Sequence, residues 1–125
     1  MATKEILKKV GEGLRVEPVV KEFNLNSFDL NKLASDETIE AALGKNHLFD
    51  KAEIYALIGS LISKQANGEE GTLLNNGYAN LFYTPSCVVY VFWFSDAELW
   101  NVIAWIRDDY DWHAGYRVFS PATSA

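Results

Sequence analysis

The sequence predicts an α+β fold: N-terminal helices followed by a β-β-α-β unit, forming a small mainly antiparallel sheet with helices packed on it. Three observations carry this. Ile54, Leu57, Ile58, Leu61 and Ile62 recur at helical spacing, the pattern turns extended after Glu70, and the turns between later segments are short. The 125 residues, 49% apolar and 22% charged, suffice to bury a core without disulfide or metal staples. No repeat or linker divides them, so one domain over residues 1–125 is expected.

Taken in order, Thr3 caps a first helix over 4–10, with Ile6, Leu7 and Val10 as its apolar stripe. Pro18 then opens a short helical turn within 15–23. Residues 24–44 read as two short helices. The first has Ser27 before Phe28, Leu30 and Leu33; the second has Ser35 before Asp36 and Glu37, with Gly44 as its stop. Asp50 and Glu53 approximate a capping box for the clearest helix, which Asn67-Gly68 ends. Asn75-Asn76-Gly77 is a turn between the extended segments 72–74 and 78–83.

Cys87 to Phe94 is the strongest strand. Val88, Tyr90, Phe92 and Phe94 point one way and Val89, Val91 and Trp93 the other, so both faces are apolar and the strand is central. Ser95-Asp96-Ala97-Glu98 has the form of a capping box, and Leu99, Val102, Ile103, Ile106 and Tyr110 follow at helical spacing. A helix over 96–110 is expected. The competing strand, in which Trp100, Val102, Ala104 and Ile106 alternate, ranks second. A last strand runs from Tyr116 to Phe119.

The chemistry is sparse. His47, His113 and the single Cys87 do not make a zinc pattern, and Asp108, Asp109 and Asp111 lack the glycine and late Glu of a calcium loop. No metal or other cofactor is expected. Cys87 with His113 is the one Cys/His pairing, and neither position carries a thiol-activating cation. The junction Phe94-Ser95-Asp96 has no glycine and a negative charge, unlike a phosphate cradle. A non-catalytic protein is therefore expected.

Charge suggests what it meets. The net charge of −6 divides into +1 over residues 1–22 and −7 over the remainder. An acidic surface disfavours direct contact with nucleic acid and favours a basic protein partner. The acidic and aromatic residues Trp105, Asp108, Asp109, Asp111 and Trp112 form the expected binding site, because on a helix Trp105 falls off the core stripe. The concrete expectation is a small inhibitor or regulator docking on a basic, nucleic-acid-binding protein. The second reading is a ligand-binding or enzymatic domain with a pocket of aromatics and carboxylates, including Asp96 and Glu98. The third is a homodimer with Trp105 at its interface. The absence of a long apolar run or a signal-peptide core predicts a cytoplasmic, non-membrane protein.

Overall fold

Alternation of apolar side chains in Cys87 to Phe94 becomes an interior strand of the sheet. In the computed structural model, which describes residues 24–107 and 111–122, the strand spans Val88–Phe94 and is flanked on both sides. The described order is β1 (Leu25–Asp29), β2 (Ala34–Ser35), α1 (Asp36–Leu43), α2 (Lys51–Ser63), β3 (Asn80–Tyr83), β4 (Val88–Phe94), β5 (Leu99–Trp105), β6 (Asp111–Trp112) and β7 (Arg117–Pro121). This is an α+β fold. Its five-stranded sheet runs β1-β7-β3-β4-β5, antiparallel except for the β3–β7 pair, and β2 and β6 form a separate two-stranded ribbon. Among the described residues, no helix is long and apolar enough to cross a membrane.

Two helices form where their caps predict them. Ser35 accepts from the Thr38 N–H, Asp36 and Glu37 occupy the first turn of α1, and Gly44 closes it at φ +81°. Asp50 accepts from the Ala52 N–H at 2.7 Å to start α2. Ile54, Ile58, Leu61 and Ile62 then pack on Phe82, Val89, Val91 and Phe119 across one face of the sheet. Burial of each such side chain contributes about 1.5–3 kcal/mol. The chain leaves α2 at Ser63, earlier than Asn67-Gly68. Gly68, at φ +78°, lies so close to the Trp93 ring that a Cβ there would collide with it.

Three expected elements differ. Residues 27–33 do not form a helix: Leu25–Asp29 is strand β1, paired with β7 from Leu25↔Pro121 to Asp29↔Arg117. Asn26, Ser27 and Asp29 compete for backbone hydrogen bonds and favour leaving a helix. Residues 72–74 are not a strand, because two buried side-chain amides take the place of a strand partner. Gln65 bonds both the N–H and the C=O of Leu73, and Asn80 does the same for Leu74.

The third difference matters most for function. Ser95 to Glu98 is a tight turn, not a helix start: Ala97 N–H donates to Phe94 C=O, Glu98 N–H to Ser95 C=O, and Glu98 is left-handed at φ +54°. Leu99–Trp105 therefore returns as β5 against β4, in register from Phe94↔Leu99 to Val88↔Trp105. The segment is apolar enough to satisfy both periodicities, and the neighbouring strand decides between them. The described elements thus follow β-β-α-α-β-β-β-β-β, not helices followed by β-β-α-β. The expected helix at 4–10 and turn at 15–23 lie outside the described residues.

Candidate functional site

Replacing the expected helix with β5 relocates every site residue downstream of Phe94. Trp105 ends β5, half-buried, with its ring edge-on to Tyr90 at 6.4 Å. Trp112 is buried at 3% exposure in β6, which pairs Ala34↔Trp112 and Ser35↔Asp111. Asp111 is exposed beside it. Asp108 and Asp109 lie outside the described residues. The structure thus joins Trp105 and Trp112 in one core cluster and makes them supports of a surface; Asp111 faces solvent. Cys87 packs with the α2-side core and His113 against Tyr116 of the other side, so that pairing is not brought together.

Trp112 leads to a buried polar centre. Its indole N–H donates to Asp36 Oδ1 at 2.7 Å, and the Tyr83 hydroxyl donates to the same oxygen at 2.6 Å. Asp36 is fully buried in the first turn of α1, where the helix dipole favours a carboxylate. Burial, then the hydrogen bond to Asp36, push the Tyr83 hydroxyl far above the ordinary tyrosine range.

One helical turn further on, Glu40 makes a second anchor. Its carboxylate pairs with Arg107, whose other terminal nitrogen donates to the Thr84 carbonyl at 2.6 Å. The two ring nitrogens of His47 lie 2.7 Å from Glu40 Oε1 and 2.7 Å from the Gly44 carbonyl oxygen, so the ring bridges the side chain of α1 and its C-terminal end. The Arg107 guanidinium also lies 5.8 Å from the Tyr83 ring centre.

Asp36 and Glu40 therefore fasten one face of α1 to the ends of β3 and β5, to β6 and to the loop before α2. These contacts hold the helix in place, since both carboxylates and both His47 nitrogens are committed within the protein. Sequence reasoning missed this set. The Asp36/Glu40 spacing of four was visible, but their partners lie up to 76 positions away.

Beyond the reach of α1 the same sheet face opens. Tyr90, Phe92 and Phe94 form an aromatic row along β4, with ring centres 5.2 and 6.3 Å apart. The row begins under Trp112 and Trp105 and ends at Phe94, 43% exposed. Leu99 and Ile103 flank it on β5, with the polar Asn101 between them opposite Phe92, Ile103 being 38% exposed. Asp96 and Glu98, both exposed, stand in the turn at its end. The result is an apolar strip with two carboxylates at its open end.

Two surface cavities were candidates for the ligand-binding reading. One, of about 350 Å³, runs along α2 between Phe49, Asp50, Glu53 and Leu57. The other, of about 540 Å³, lies between Glu70, Leu74, Asn75 and Arg117. Neither is lined by Trp or Tyr. Among the described residues, no group of three or more His, Cys, Asp or Glu is gathered as metal ligands. No family model, curated protein or solved structure matches the chain.

Proposed function

We propose that this chain is a non-catalytic interaction protein that docks a basic, partly apolar partner on the open end of the β4–β5 face. The observation that carries the reading is the strip Phe92, Phe94, Leu99 and Ile103, ending in the Asp96 and Glu98 carboxylates. Exposed apolar surface rimmed by charge suits a partner whose apolar side chains fill the strip while its cations meet the rim. The net charge of −6 adds long-range steering toward a positive surface. In its concrete form the protein is an inhibitor or regulator that covers the basic site of a nucleic-acid-binding protein. Asp108, Asp109 and Asp111 contribute to that net charge.

The test compares baits. Affinity capture with the native protein and with a Phe94→Ala/Asp96→Asn/Glu98→Asn variant is followed by titration of the recovered partner in rising salt. A partner held by the native chain, lost by the variant and released by salt supports the reading. Equal recovery by both baits, or a partner without a basic surface, overturns the site. Addition of the native protein is further expected to weaken that partner's binding to nucleic acid.

A further inference from the structure

Among the described residues, strand β5 has a neighbour in the sheet on one side, β4, and is an edge on the other. Its seven residues, Leu-Trp-Asn-Val-Ile-Ala-Trp, contain no charge, proline or glycine, and its register with β4 is unbroken by any bulge. Soluble proteins ordinarily guard such an edge with lysine, proline, a bulge or extreme shortness. The opposite edge, β1, is shorter and carries the charged Asp29. Strand β5 has none of these guards.

We infer that β5 is a strand-addition site whose occupant is β5 of a second copy of this chain, paired antiparallel about a two-fold axis at Val102. The strand is complementary to itself in that register. Bulky Trp100 falls opposite the partner's Ala104, Leu99 opposite the partner's Trp105, and Asn101 opposite the partner's Ile103. No like charges oppose one another along the pairing. Glu98, just before the strand, falls opposite the partner's Ile106, and the two-fold repeats each pairing at the other end. The resulting sheet continues across both copies and sets their two apolar strips side by side. This inference is independent of the identity of any basic partner.

Sedimentation velocity of the full chain over a wide concentration range tests it. The native protein is expected to shift from monomer to dimer, with the shift retained in high salt because the pairing is uncharged. Val102→Lys and Val102→Asp each place like charges opposite one another and are expected to sediment as monomers. An equimolar mixture of the two is expected to regain the dimer.

Val102 is half-buried, so circular dichroism checks each variant's fold, and hydrogen exchange of the native chain gives a second reading. Protection of β5 amides that point away from β4 is expected to rise with protein concentration. A native chain that stays monomeric overturns the proposal, as does a dimer that persists in both variants separately. Concentration-independent protection of those amides also overturns it, since residues of the same chain would then cover the edge.

Discussion

The two faces of the sheet are closed by different means. Helix α2, 13 residues long, covers its face with the aliphatic side chains of Ile54, Ile58, Leu61 and Ile62, over Phe82, Val89 and Phe119. Helix α1 has eight residues, with Ile39 its one fully buried apolar side chain, and is fastened by Asp36 and Glu40. Apolar burial grows with area, so a long helix needs no specific bond to stay in place. A short helix lacks that area, and directed hydrogen bonds fix its position instead. The shorter cover also leaves a remainder: Phe92, Phe94 and Ile103 lie beyond it. The face held by polar bonds is thus the face with surface left to bind something.

The comparison breaks first at Ile58. This residue is fully buried between α2 and the sheet, and Ile58→Ala is expected to cost about 2–5 kcal/mol in urea unfolding through the cavity it leaves. Asp36→Asn ranks second. It keeps an acceptor for Tyr83 and Trp112 but turns two charge-assisted bonds into neutral ones, at about 1–3 kcal/mol in the same assay. A larger loss at Asp36 than at Ile58 would reverse the account of which face depends on area.

The third prediction concerns alkali. The hydroxyl of Tyr83 keeps its proton in the folded state above pH 10.0, where the unfolded chain releases it. Folding then binds more protons than unfolding, so stability is full below about pH 10 and falls as pH rises above it. Tyr83→Phe is expected to flatten that fall in denaturation midpoints measured across alkaline pH.

The smallest effect belongs to Asp29. The hydrogen bond from Arg117 holds its carboxyl below the ordinary 3.8, so its contribution is present above that pH and fades as pH falls through the lowered value. The pair is largely exposed, and Asp29→Asn is expected to cost about 0–1 kcal/mol near neutral pH.

The legible parts of the fold are those whose signals are local. The caps at Ser35 and Asp50 specify both helices within a few residues, and alternation in Val88–Phe94 specifies β4 and its interior place in the sheet, though the Phe94 end of one face is left open. The illegible parts depend on distant partners. Leu25–Asp29 becomes a strand because Arg117–Pro121 lies beside it, and Leu99–Trp105 because β4 offers an edge. The Ser95–Glu98 pattern fits a helix cap and a hairpin turn equally well, and the hairpin wins through the pairing it permits. The same substitution of strand for helix hid the site: Trp105 looked like a surface tryptophan on a helical wheel, whereas Phe94 and Ile103 became visible once β5 was placed.

Strand β7 has a consequence for the order of assembly. It lies between β1 and β3 and pairs in parallel with β3, so β1 gains a neighbour through Arg117–Pro121. Asp29 and Arg117 are 88 positions apart. The β3–β4–β5 meander is able to form early from short-range contacts, while β1 waits for nearly the whole described chain to emerge. Such late, long-range closure slows folding. During synthesis the first of the described strands is therefore among the last of them to find its place.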